Sequence, residues 1–151
     1  MKRIVNVLGV TLALYCGSAH SACSIAVTPL NFGAYDVFAT APLRSIGTFT
    51  VNCNATPPPT VTISLGPSAV SGVIYPRRMR QSGGSDALNY NLFINAALSQ
   101  VWGDGISGGN TLSQIVTKSR PWYALVYGSL PAQQNVSAGS YNDTLLVTII
   151  W

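Results

Sequence analysis

Apolar residues recur at every second position in one stretch after another, and that period limits what this chain can fold into. Ile25 and Val27 follow Cys23 in phase, with Ser24, Ala26 and Thr28 between them. Phe49, Val51 and Cys53 alternate with Thr48, Thr50 and Asn52, and Val61, Ile63 and Leu65 repeat the pattern. Leu88, Tyr90, Leu92 and Ile94 form a further set, and Leu145, Val147, Ile149 and Trp151 the last. Successive side chains of a strand point to opposite faces, so each set describes a strand with one buried face. The stretch from Trp122 to Tyr127 is apolar in both phases and reads as a central strand. Turn signals separate these runs: Pro57-Pro58-Pro59, Gly66-Pro67 (which ends its strand), Asp104-Gly105, Gly108-Gly109-Asn110 and the loop over 131–139. No amphipathic helix of about ten residues or more is visible. About seven or eight short strands at such spacings predict a single all-β domain, an antiparallel sandwich of the immunoglobulin kind. Composition agrees: charged residues are 8% of the chain and Glu is absent, which disfavours disorder and long helices.

The first residues read differently. Lys2 and Arg3 precede an apolar run over residues 4–16, about the length of a signal-peptide core and too short to cross a bilayer as a helix. Gly17, Ser18, Ala19, Ser21 and Ala22 supply the small residues of a cleavage region. Cleavage after Ala19 or after Ser21 fits the small-x-small rule, whereas cleavage after Ala22 sets His20 at a less usual position. Residues 1–22 are therefore expected to be an export signal, against the alternative of a buried N-terminal helix. Residues 23–151 are expected to be the mature domain, without a membrane span. Processing removes Lys2, Arg3 and Cys16, and the net charge falls from +4 to +2. Two cysteines remain, Cys23 and Cys53, both on the apolar phase of their strands. In an oxidising compartment they are expected to form one disulfide, stabilising by roughly 3–4 kcal/mol in the chain-entropy account.

Catalytic equipment is sparse. The single histidine, His20, lies in the leader, so the mature domain offers neither a Ser–His–Asp nor a Cys–His arrangement. Two cysteines without histidine do not make a zinc site, and no cofactor is expected. Of the four aspartates, Asp104 and Asp143 read as turn residues bonding local backbone. Arg77, Arg78 and Arg80 are the densest charge and, with Trp102, the candidate surface-binding residues, for a sugar or a lipid phosphate. The plainer reading of the cluster is a solvated strand or loop, and of Trp102 a core aromatic. A net charge of +2 steers nucleic acid weakly, and no nucleic-acid partner is expected. A domain of this kind binds or assembles, and its apolar last strand could accept a strand from another chain at a sheet edge.

The ordered set Cys23…Pro29-Leu30-Asn31-Phe32-Gly33-x-Tyr35-Asp36, Gly47…Val51-x-Cys53, Leu88-x-Tyr90-x-Leu92, Val101-Trp102-Gly103-Asp104-Gly105 and Tyr127-Gly128…Pro131…Gln134-x-Val136-x-x-Gly139-x-Tyr141-x-Asp143-Thr144 resembles the spore coat protein U domain. Arg77-Arg78-Met79 resembles that family's Arg-Met element. The family includes subunits of archaic, Csu-type chaperone–usher pili. The resemblance implies an incomplete immunoglobulin-like antiparallel sandwich, its first two strands joined by a Cys23–Cys53 disulfide. It implies a periplasmic chaperone that lends a strand beside residues 144–151, an outer-membrane usher, and other pilus subunits joined by strand exchange. Leu145, Val147, Ile149 and Trp151 would flank or line the acceptor groove. Polymerising subunits carry an apolar donor segment ahead of the first cysteine, and none is evident between the cleavage region and Cys23. The expectation is a tip or minor subunit, structural or adhesive, exported to the periplasm and then to the cell surface. The alternatives are a self-complete secreted coat domain and a sugar- or lipid-binding module.

Overall fold

The computed structural model describes the backbone of Lys2–Val7 and the whole of residues 23–151. Apart from that short strand, the expected leader and its cleavage region lie outside the described residues. Among the described residues ten strands follow one another: β1 (Lys2–Val7), β2 (Cys23–Thr28), β3 (Leu43–Cys53), β4 (Thr60–Ser68), β5 (Arg77–Gln81), β6 (Ala87–Phe93), β7 (Leu112–Ile115), β8 (Trp122–Leu130), β9 (Tyr141–Asn142) and β10 (Leu145–Ile150). No helix occurs among the described residues. One sheet has the order β2-β3-β8-β6-β5-β9 and the other β1-β10-β4-β7. Every strand pair is antiparallel. The fold is an all-β antiparallel sandwich with one disulfide, as the alternation predicts.

The two inner faces meet over Phe49, Val51, Val61, Ile63, Leu65, Tyr90, Val126 and Val147, all buried. Fully burying one such aliphatic side chain contributes about 1.5–3 kcal/mol, so the alternation alone accounts for much of the drive to close the sandwich. Trp102, between β6 and β7, inserts its ring edge-on to Phe49, with centroids 5.6 Å apart. Its indole N–H donates to the Ile63 carbonyl at 3.1 Å, so a polar atom enters the core satisfied. Cys23 and Cys53 face each other in the β2–β3 register and are joined, with an S–S distance of 2.06 Å.

Three features depart from the sequence reading. β4 does not stop at Gly66-Pro67 but runs to Ser68. Its pairing with β10 shifts there: Leu145 faces Ser68 while Val147 faces Leu65. Proline cannot donate to a ladder, and a bulge is where a strand tolerates it. β8 is central in its sheet as expected, but Tyr123 and Leu125 lie exposed on the outer face. β7 and β9 are too short to show a period, and the sequence did not signal them.

Candidate strand-acceptor edge

β10 carries its apolar phase inward. Leu145, Val147 and Ile149 are buried in the core, and Trp151 beyond the strand is half-buried against it. Leu146 and Ile150, in the other phase, stay about half exposed. On one side β10 pairs with β4; on the other it pairs with β1, from Lys2 opposite Ile150 to Val7 opposite Leu145. By register, Val5 stands opposite Val147 and Arg3 opposite Ile149. The strand completing this edge thus comes from the residues that read as a leader. Without it, the sheet's outermost strand on this side would be β10.

Arg77 and Trp102 are not surface residues. Both are 0% exposed, which corrects the expectation that they could meet a ligand from solvent. The reason for Arg77 is strand phase: it lies two positions from buried Met79, and Arg78 and Arg80 alternate outward. Inside, its guanidinium donates to Asn91 Oδ1 at 2.8 Å and to the carbonyls of Trp102 at 2.8 Å and Gly66 at 2.9 Å. A longer contact of 3.3 Å reaches the Leu65 carbonyl. The cation therefore ties the first sheet to carbonyls in the bulged part of β4. Burial lowers its pKa, against the opposing pull of Tyr90 and Asp143. Arg78 and Arg80 remain exposed, with Arg78 Nε bonded to Asn89 Oδ1 at 3.0 Å.

A second polar pair was not singled out by the sequence. Tyr90 donates its phenol proton to Asp143 Oδ2 at 2.7 Å, and both groups are buried. Burial first, and then the Asp143 carboxylate, push the Tyr90 phenol far above its ordinary value. Asp143 also accepts the Thr144 N–H at 2.8 Å, the local backbone bond expected of it. Asp104 is the turn residue anticipated, accepting from the N–H groups of Ile106 and Ser107. Among the described residues, no group of three or more His, Cys, Asp or Glu is placed to hold a metal. An open cleft of about 700 Å³ lies beside Asp143, between the 29–37 segment and the 136–143 segment, with Leu30, Met79, Leu88 and Leu130 on its walls.

Fold and edge together define a disulfide-stapled antiparallel sandwich whose second sheet is completed at β10 by the strand Lys2–Val7. The chain belongs to the Spore Coat Protein U domain family, which it matches over residues 10–148. It is 33% identical over 128 residues to Protein U of Myxococcus xanthus, spanning 80% of this chain and 70% of that one. Its fold is similar to a chain in the crystal structure of a chaperone–tip adhesion subunit pre-assembly complex, from the archaic chaperone–usher Csu pili of Acinetobacter baumannii. The TM-score there is 0.60 at 21% identity, covering 85% of this chain and 39% of the solved one. The chain thus spans about two fifths of that solved chain, and the likeness is one of fold.

Proposed function

We propose that the chain is a structural or adhesive subunit of a chaperone–usher pilus, assembled by strand exchange along the outer edge of β10. The observation that carries this is the β1–β10 ladder: residues with the character of a cleavable leader fill that edge. Cleavage would remove β1 and leave the backbone of Leu145–Ile150 paired on one side only. An empty edge backed by buried Leu145, Val147 and Ile149 is a template for a strand from another chain. A periplasmic chaperone would lend that strand first, and at the outer-membrane usher a neighbouring subunit would replace it. Family membership and the likeness to a chain of a chaperone–subunit complex support this reading. With cleavage at residues 19–22, β2 follows almost at once, so the mature domain accepts a strand but has none to give. Head-to-tail growth needs both halves of the contact, which favours a tip or minor position. Export through the periplasm to the cell surface follows from the same reading.

The test is recovery of the mature protein from the periplasm, untagged because β10 lies near residue 151, followed by size exclusion and mass spectrometry. A stoichiometric complex with a second β-rich periplasmic protein, and aggregation when that partner is deleted, is the expected result. A stable monomer with its disulfide formed would sink the strand-exchange reading. The same outcome would favour a self-complete secreted coat domain, a reading that the family's description as a spore coat protein domain supports.

A further inference from the structure

The start of β10 is held by groups that belong to neither sheet's ladder. Asp143, 3% exposed, stands two residues ahead of Leu145. It receives the Tyr90 O–H from β6 of the opposite sheet and the N–H of Thr144. The Thr144 carbonyl in turn accepts the N–H of Ala69, just past the end of β4. Across from this point the ladder is at its weakest. Gly66 and Pro67 form the bulge between the Leu145–Ser68 and Val147–Leu65 pairs, and Arg77 holds the carbonyls of Leu65 and Gly66. Further along, pairing is regular, with Thr148 opposite Ser64, Ile149 opposite Ile63 and Ile150 opposite Thr62. Side-chain bonds therefore concentrate where backbone pairing is interrupted.

We propose that Tyr90 and Asp143 are positioning residues for the acceptor strand: a buried latch that keeps the start of β10 in ladder geometry whether or not its outer edge is filled. The inference rests on the reading of β10 as an acceptor. An edge strand held by one interrupted ladder frays, and a frayed edge loses backbone freedom when a donor arrives, which weakens and slows pairing. The latch removes that cost beforehand. It acts through the backbone of residues 143–145 and makes no direct claim on the donor's side chains.

Amide hydrogen exchange on the oxidised full chain, with β1 in place, tests the latch independently of any pilus role. Tyr90→Phe keeps the ring in the core and deletes only the O–H. Residues 144–147 are expected to exchange about tenfold faster, the equivalent of one lost buried hydrogen bond, with β3 and β8 little changed. Equal acceleration throughout would make Tyr90 an ordinary core residue, and no acceleration at 144–147 would make the bond idle; either overturns the proposal. Should Tyr90→Phe fail to fold, Asp143→Asn, which keeps shape and a weaker acceptor, is read in the same way. A synthetic peptide with the sequence of residues 2–7 then probes the mature protein recovered from the periplasm. Slower uptake by Tyr90→Phe with unchanged release is expected, and equal uptake overturns the positioning role. If wild type takes up no peptide while the exchange pattern holds, the acceptor reading fails, and with it the purpose assigned to the latch.

Discussion

Replacing Arg77 by methionine keeps most of the side-chain volume and removes every donor. Three short bonds are lost, to Asn91 Oδ1 and to the carbonyls of Gly66 and Trp102. Charge-assisted hydrogen bonds contribute about 1.5–3 kcal/mol each, roughly 5–9 kcal/mol together. Against that stands the desolvation of a buried guanidinium, several kcal/mol, which also lowers its pKa. The difference, with acceptors left unpaired in the core, puts the loss at about 3–5 kcal/mol. Urea unfolding followed by tryptophan fluorescence measures it directly. Arg78→Met, on the same strand but facing out, is the control and is expected to change stability by no more than about 0.5 kcal/mol. If Arg77→Met costs no more than Arg78→Met, water reaches those carbonyls and the interior placement of Arg77 is wrong.

Replacing Cys23 and Cys53 together by alanine is expected to cost about 3–4 kcal/mol in the same assay, and reductant should then have no further effect. Partial burial opposes ionisation of Asp104, but the N–H groups of Ile106 and Ser107 outweigh it and hold the carboxyl below its ordinary 3.8. That contribution is therefore present above the ordinary value and lost as pH falls through the folded one. Melting temperature between about pH 4 and pH 2 should fall less steeply in Asp104→Asn than in wild type. Tyr90 has the opposite sign: its phenol lies far above the ordinary 10.0, so its contribution is full below that value and declines as pH rises beyond it. An alkaline melting series should show this decline in wild type and a shallower one in Tyr90→Phe.

What the sequence made legible was what a period of two can encode. β2, β3, β4, β6 and β10 follow from alternation, and the disulfide from two in-phase cysteines in a chain read as exported. The buried phase of β10, Leu145, Val147 and Ile149, was visible for the same reason. Arg77 was misread because charge was weighed before phase; its spacing of two from Met79 already pointed inward. A buried guanidinium is stable only where several carbonyls converge, and two of them sit on β4, more than ten positions away. The Tyr90–Asp143 contact spans 53 positions, a separation that no local pattern reports. The bulge at Gly66-Pro67 was read as an end because proline interrupts the ladder, which it does without ending the strand.

The disulfide closes the far end of an edge strand: Cys23 opens β2, and its partner closes β3. A pull applied to the chain ahead of Cys23 would otherwise meet β2 one hydrogen bond at a time, as a zipper. Through the sulfur link the load passes directly to the end of β3, which lies between β2 and β8 and pairs with β8 from Leu43 to Val51. β2 is bypassed, and the force falls on the interior of the larger sheet. Reduction would return that force to β2 and allow it to peel from its outer end inward.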